Sequence, residues 1–381
     1  MFLERIDTIS NNPDEYMKKM PEVARKPLNK PVFLEFFAGS GLVAHALHPF
    51  FRAGWANDIS EKKAKVYREN HPKETFLLGS IADVKGESLP KATLSWASFP
   101  CQDLSLAGAM AGIHAERSGL VWEWLRVMDE MPHKPPLLVA ENVTGLVSAN
   151  SGEHYRLLHN ALVQRGYCVG ALLLDAVHWV PHSRPRIFVV AARSDLDIPS
   201  SLMASGPGWA HSSAIRSVAN GLDNWIWWNL PEPKRRVENL ADILEWDAPC
   251  DPPEIVQRNL ALVPESHFNR LHSEGFLVAP GYKRIRNKKQ VLELRFDGVA
   301  GCLRTPKGGS SRQFLVLRKE GELKTRLLTV RETARLMGAP DSFKLPGTYN
   351  DGYMAMGDAV AAPVAHYLAK HLLSPLAAVS L

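Results

Sequence analysis

One of four cysteines, Cys101, closes the apolar run of SWASFPCQDLSLAG and opens a loop of small residues able to fold over a substrate. A thiol is intrinsically nucleophilic even when mostly protonated, so the position suits covalent catalysis. Isolated in sequence, the same cysteine would read as a small buried hydrophobe. Its context argues otherwise. The run LLVAENV ends in Glu141 and Asn142, and a charged group closing so apolar a strand is poor core packing. PHSRPRIFVVA adds Arg184 and Arg186 ahead of a further strand, two donors of alternating direction suited to a carbonyl oxygen and a phosphate, with ordinary surface charge as the bland alternative.

A second cluster suggests a ligand rather than a reaction. FLEFFAGSGLVAHAL places Gly39 and Gly41 where a buried strand turns into a helix, and a side chain there would block a ligand's approach to the backbone. On its own this is no more than a tight turn. About 20 residues on, WANDIS supplies Asp58 at the expected end of the next strand, where a carboxylate accepts hydrogen bonds from ribose hydroxyls. The pair points to an adenosine-type ligand. A nicotinamide dehydrogenase is the first rival, but FAGSG lacks the third glycine of GxGxxG.

These residues need a sheet to bring them together. From residue 31 to about 193, short apolar runs alternate with helix-like stretches such as GLVWEWLRVMDEM and HYRLLHNALVQRG, the rhythm of a doubly wound α/β fold in which Cys101 and Glu141 share one carboxyl edge. From about 195 to 325 the rhythm fails, and NWIWWNLPEPKRR and GYKRIRNKKQ suggest a smaller, irregular domain. TVRETARLMGAP then reads as a helix, and MGDAVAAPVAHYLAKHLL as a closing helix packed on the sheet. The expected division is residues 1–194 with 348–381 as one domain and 195–347 as the other. Lys283, Arg284, Arg286, Lys288 and Lys289 suit phosphate contacts or, blandly, a solvated charged loop. Trp225, Trp227 and Trp228 read as core.

With 381 residues, 45% of them hydrophobic, the chain can bury one large core and a smaller one. A formal charge of +5, from 45 Lys+Arg against 40 Asp+Glu, is compatible with a polyanionic partner but does not establish one. The dispersed cysteines form no zinc signature or disulfide framework, so no metal is expected and a reducing compartment is. The charged N-terminal stretch lacks the apolar core of a signal peptide, and no run reaches the length of a membrane span, which together predict a soluble cytoplasmic protein with no membrane partner.

Taken in order, FAGSG, the acid of NDIS, FPCQ, ENV, SRPRIF, RLLTVRETARLMGAPDSF and GDAV resemble the successive motifs of the DNA (cytosine-5) methyltransferase family. The resemblance covers roughly residues 31 to 193 and 324 to 375. It implies a Rossmann-like S-adenosylmethionine-dependent catalytic domain with a target-recognition domain, acting on double-stranded DNA as a monomer, paired with a restriction endonuclease, and releasing S-adenosylhomocysteine. Phe37, Ala38, Gly39, Ser40, Gly41, Asp58, Ile59, Ser80, Ile81, Pro100, Asp358 and Val360 would hold the cofactor. Cys101 would attack, Glu141 would grip the cytosine ring, Arg186 would contact its carbonyl oxygen and Arg184 would orient the DNA and the site. Pro100 and Gln102 would shape the loop over a flipped base, with Ser105 near the DNA backbone. CLRTPKGGSSRQ occupies the place of the family's base-reading loop, which implies DNA contacts by Arg304, Thr305, Lys307, Gly308, Gly309, Ser310 and Arg312; a hairpin turn is the alternative.

Three positions depart from the family pattern. Gly79-Ser80-Ile81 stands where Gly-Asp-Ile is usual, so the acid reaching the adenine amino group is missing and nearby Asp83 is a candidate substitute. Asp358 replaces the usual asparagine of the last motif, and His182 replaces a common glutamine. Two rivals follow from the same motifs. The transfer-RNA branch usually carries Cys-Phe-Thr in its recognition region, which this chain lacks. A catalytically inactive DNA-binding member would not need Cys101, Gln102, Glu141, Asn142, Arg184 and Arg186 together.

Overall fold

Strands that are apolar on both faces are stable only where helices cover both sides of a sheet. The computed structural model describes residues 30–100, 119–273, 275–304 and 312–380, and all elements below belong to the unit Pro31–Leu381. Its main sheet contains β1 (Val32–Phe36), β2 (Arg52–Asp58), β3 (Phe76–Leu78), β4 (Leu94–Ala97), β5 (Leu137–Val143), β6 (Tyr167–Asp175) and β7 (Pro185–Arg193), in the order β3-β2-β1-β4-β5-β7-β6. The alternation along β1 divides two cores: Phe33 faces one, Leu34 and Phe36 the other.

The first core is covered by α1 (Leu42–Leu47) and the C-terminal helices. Between the first strands runs α2 (Glu61–Asn70), capped by Ser60, whose hydroxyl accepts from the Lys63 N–H. The second face is covered by α3 (Leu120–Glu130) and α4 (Glu153–Val163). In α3, Val121, Trp124, Leu125 and Met128 are buried, while Arg126 on the open face pairs with Glu123 and Glu130.

One reversal decides the site. β1 to β5 run parallel, but β7 enters antiparallel between β5 and β6, with Val143 opposite Arg186 and Glu141 opposite Phe188. The start of β7 therefore lies at the carboxyl end of β5 and β4. That edge is where a doubly wound sheet leaves a crevice.

The region expected to be irregular contains more order than its composition suggests. After a short pair, β8 (Met203–Ala204) with β9 (Trp227–Trp228), come α5 (Pro253–Leu260) and α6 (Glu265–Leu271). They pack near an antiparallel sheet of β10 (Val278–Arg286), β11 (Lys289–Leu294), β12 (Gln313–Lys319) and β13 (Glu322–Leu327), ordered β11-β10-β12-β13. Leu271, Phe276, Ala279, Leu292 and Val316 form its core. GYKRIRNKKQ is a hairpin rather than a loop: Asn287 and Lys288 both take positive φ, 48° and 63°, the two-residue turn that suits twisted strands. Of the three tryptophans read as core of this region, Trp228 is buried in the first core of the main sheet, and Trp225 and Trp227 are half-buried against its second core, so none belongs to the core of the four-stranded sheet.

TVRETARLMGAP forms α7 (Val330–Leu336), with a capping box of Thr329 and Glu332. The stretch read as one closing helix is interrupted. α8 (Tyr349–Asp358) ends, residues 359–361 are extended, and α9 (Ala362–Leu368) restarts with Pro363 in its first turn and packs on α1. The interruption carries Asp358 and Val360 to the crevice. Among the described residues no helix is long and apolar enough to cross a membrane, and no cluster of His, Cys, Asp or Glu is arranged to hold a metal.

Candidate active site

The turn after β1 is built under constraint. Phe37 sits at φ 57°, a conformation that is uncommon for a bulky residue and that needs the surroundings to hold it. Gly41 at φ 85° begins α1, and a Cβ there would meet the His71 ring at 2.6 Å. Only glycine fits. Asp58, at the end of β2, accepts from the Gly39 N–H at 2.9 Å and the Ser60 N–H at 2.8 Å, so one carboxylate joins the turn to the start of α2. Asn57 donates to the carbonyls of Leu77 and Gly79, which draws Ser80 and Ile81 alongside.

These pieces wall a cavity of about 910 Å3 at the carboxyl edge. Of the residues expected to hold cofactor, Phe37, Ala38, Gly39, Asp58, Ile59, Ser80, Ile81, Pro100, Asp358 and Val360 line it; Ser40 and Gly41 lie beneath the turn. Ile59 is 75% exposed at the rim, an apolar side chain with no protein cover. The Ser80 hydroxyl accepts from the Ala82 N–H, while Asp83 is exposed and away from the cavity wall. Asp358 pairs with Lys63 at 2.7 Å, so the acid in place of asparagine meets a cation from α2. A parallel pair, Lys62 with Asp351, joins the same helices.

Sequence reasoning passed over Glu35. It lies within β1, fully buried and lining the cavity, with Oε2 accepting from Tyr67 at 3.3 Å and Oε1 buried without a partner. Burial pushes its carboxyl up to about 8, against the hydrogen bonds from Tyr67 and the Ala44 N–H. The signal was present: a carboxylate inside VFLEFF, directly before the glycine turn.

The far end of the same cavity holds Glu141 and Arg186, with Arg186 Nε 3.2 Å from Glu141 Oε1. Burial raises the Glu141 carboxyl above the ordinary glutamate range, while Arg186, Arg184 and a hydrogen bond from Ser98 oppose the rise. Asn142 donates to the Phe99 carbonyl at 2.9 Å and fixes the chain two residues before position 101. Cys101, Gln102 and Ser105 lie outside the described residues.

Arg184 does not open onto the cavity. It is buried, and its guanidinium donates to the carbonyls of Leu303, Gly357 and Ala359 at 3.1, 2.8 and 2.7 Å. A groove of about 1190 Å3 adjoins on the second sheet, lined among others by Tyr282, Lys283, Arg284, Arg295, Arg304 and Arg312. Arg304 and Cys302 border both spaces. Lys288 and Lys289 are exposed at the hairpin tip, outside the groove lining. Thr305, Lys307, Gly308, Gly309 and Ser310 lie outside the described residues. Tyr282 and Arg295 were not singled out in the sequence, because strand alternation in a basic stretch is hard to distinguish from a charged loop.

The chain as far as Pro100, a protonatable carboxyl beside an arginine and an acid-bearing turn thus converge on one edge. Residues 32–374 match the family described as C-5 cytosine-specific DNA methylase. The chain is 24% identical over 362 residues to the type II methyltransferase M.HhaI of Haemophilus parahaemolyticus, covering 94% of this chain and 98% of that one. It is 27% identical over 356 residues to M.FnuDI of Fusobacterium nucleatum, covering 90% and 94%. Among solved structures, the fold is similar to the S. pombe Dnmt2 methyltransferase, with TM-score 0.59 at 20% identity over 91% of this chain and 98% of that one. It is also similar to the Entamoeba histolytica methyltransferase EhMeth, with TM-score 0.62 at 15% identity over 92% and 98%. The match across nearly the whole chain, on a sheet whose edge gathers those motifs, makes this protein a member of the C-5 cytosine-specific DNA methylase family.

Proposed function

We propose that this enzyme methylates carbon 5 of a cytosine flipped out of a specific double-stranded sequence, through covalent attack of Cys101 at carbon 6. Family membership carries the coarser statement: a DNA (cytosine-5) methyltransferase that uses S-adenosylmethionine. The observation that best supports the finer reading is the Glu141–Arg186 pair, buried in the same cavity as Asp58.

Carbon 5 is too weak a nucleophile to take a methyl group unaided, so the Cys101 thiolate adds to carbon 6 and pushes electron density into the ring. Glu141 in its protonated form donates to ring nitrogen 3 and offsets the charge that develops there. Arg186 donates to the carbonyl oxygen at carbon 2. The cofactor, when bound, supplies a sulfonium methyl. A water molecule then takes the carbon 5 proton, and the Cys101 sulfur leaves carbon 6 as the ring double bond returns.

The donor set fits that cofactor. Each Asp58 oxygen keeps a free lone pair for a ribose hydroxyl beyond the backbone N–H it accepts. Ile59 offers an apolar surface to a purine face, and the unpartnered Glu35 Oε1 suits a cationic amine. Flipping a base from duplex costs a few kcal/mol, which the groove's cations offset through phosphate contacts. We assign residues 195–347 to target recognition and the remainder to catalysis, and infer a cytoplasmic monomer that protects the site of a paired endonuclease. Methyl transfer from radiolabelled cofactor to duplex DNA tests the reading. Wild type should label DNA and Cys101→Ala should not; labelling of transfer RNA in preference to DNA would contradict it.

A further inference from the structure

The segment 301–304 is the partition between the groove and the cofactor cavity. Gly301 faces the groove, Leu303 the cavity, and Cys302 and Arg304 border both. The backbone of this partition is held from both sides. Ala300 donates to the Pro181 carbonyl at 2.8 Å and Ser183 to the Ala300 carbonyl at 2.9 Å, so the segment runs alongside 181–183. The Leu303 N–H donates to His182 Nε2 at 3.1 Å, which leaves the ring proton on Nδ1, where it is given to the Leu336 carbonyl at 3.0 Å. The Leu303 carbonyl accepts from Arg184 Nη1. Both polar backbone atoms of one residue are thus held by the two side chains that lead β7.

Arg184 reaches further. Its Nη2 donates to Gly357 and Ala359, the segment that carries Asp358 and Val360 into the cofactor wall. On the groove side, the Tyr282 hydroxyl donates to the Cys302 carbonyl at 2.6 Å, and a Cβ on Gly301 would lie 2.5 Å from the Tyr282 ring. A chain of direct contacts runs from β10 through Cys302 and Leu303 to one guanidinium, and from it to the cofactor wall. A buried cation held by three carbonyls and the Cys302 sulfur, with no carboxylate among its hydrogen-bond partners, is costly, and its Nε has no partner, so packing stability alone is a poor reason for it.

We propose that His182 and Arg184 are positioning residues that couple duplex binding in the groove to cofactor binding in the cavity through the backbone of Leu303. The inference rests on the proposed function, since it takes the groove for DNA and the cavity for cofactor. Arg184 satisfies its carbonyls only when the partition and residues 357–359 keep one spacing. A duplex that presses on Tyr282 and Arg304, and a cofactor seated against Asp358 and Val360, each favour that spacing. Each ligand therefore tightens the other by the same factor.

The test measures S-adenosylhomocysteine affinity of the whole enzyme by calorimetry, alone and with saturating duplex carrying the site it modifies. In wild type the duplex should tighten S-adenosylhomocysteine by about tenfold. In Arg184→Lys and His182→Ala the gain should fall below about twofold, while His182→Gln, with one acceptor and one donor on its amide, should restore it. Tyr282→Phe removes only the hydroxyl that meets the Cys302 carbonyl and the Gln313 side chain, and should reduce the factor partway; it decides the matter should the buried variants fail to fold. A purely structural role would lower melting temperature and leave the ratio of the two affinities unchanged. Full coupling in folded variants, or no coupling in a wild type that binds both ligands, would overturn the inference. A wild type that binds neither ligand would overturn the proposed function and this inference with it.

Discussion

The two open spaces of this molecule are built on opposite plans. At the edge of the parallel sheet, functional groups are buried and held by backbone: Asp58 by two N–H groups, Asn142 by the Phe99 carbonyl, Glu141 by the strand that presents it. On the antiparallel sheet, the cations are partly neutralised at home, with the exposed Arg284 and Arg286 both on Glu293 and the half-buried Lys283 donating to the Asn259 side-chain oxygen and lying over the Phe314 ring. A buried, fixed group changes protonation or reactivity as a unit. An exposed cation contributes a graded, salt-screened attraction. Loss at the edge should abolish a step, whereas loss in the groove should shift a preference.

Glu141→Gln should show the largest effect of this set, a fall in kcat of about 10²–10⁴-fold with duplex affinity little changed, measured in single-turnover methyl transfer. The pH profile sharpens the point. Because burial holds Glu141 protonated above the ordinary glutamate range, activity should fall only as pH rises through that elevated value. Arg186 opposes the elevation, so Arg186→Gln should move the falling limb to higher pH as well as weaken the reaction. A limb that moves to lower pH would break the assignment.

Asp58→Ala comes next, with S-adenosylmethionine weakened by about 1.5–3 kcal/mol, read by titration calorimetry. Since Asp58 also ties Gly39 to Ser60, Asp58→Asn should retain part of the affinity. An unchanged dissociation constant would place the cofactor acid elsewhere, with Asp358 the candidate on the same cavity wall.

The second sheet should respond differently within the groove and beyond it. Arg304→Ala should cost about 1–3 kcal/mol on the preferred site and relax one base position, seen by bisulfite sequencing of a random-site library. Lys288→Ala, at the hairpin tip, should weaken all duplexes alike and make the salt dependence shallower by about one unit. Uniform loss from both would remove the distinction between reading and positioning.

Glu35 bears on stability rather than on methyl transfer. Its folded carboxyl titrates near 8, above the ordinary value of 4.5, so the stability it contributes is fully present below about pH 4.5 and lost as pH rises through 8. Glu35→Gln should flatten that part of the melting-temperature profile in cofactor-free enzyme and raise stability at pH 8. A profile identical to wild type would mean that Glu35 is ionised and paired.

Much of the edge was legible because its motifs are local. Glu141, Arg186 and Asp58 each lie at the end or start of a strand, and alternation of short apolar runs with helices assigns those strand ends to one side of a doubly wound sheet. The partners of Arg184 were not legible: its carbonyls belong to residues 119, 173 and 175 positions away, and backbone carbonyls leave no mark in sequence. Asp358 looked like a loss until Lys63, on a distant helix, supplied its counter-charge. The four-stranded sheet was hidden by composition. Charged residues on an open sheet face mimic a solvated loop, and only the Asn287-Lys288 turn marks the hairpin.

The central claim, covalent attack by Cys101 on the flipped cytosine, is met most directly by a duplex carrying 5-fluorocytosine at the modified position. Fluorine cannot leave as the carbon 5 proton does, so elimination stops and the sulfur stays bonded to carbon 6. With cofactor present, wild type should form a protein–DNA adduct that survives denaturing electrophoresis, and Cys101→Ala should form none. No adduct with wild type, or an equal yield with Cys101→Ala, would contradict the account.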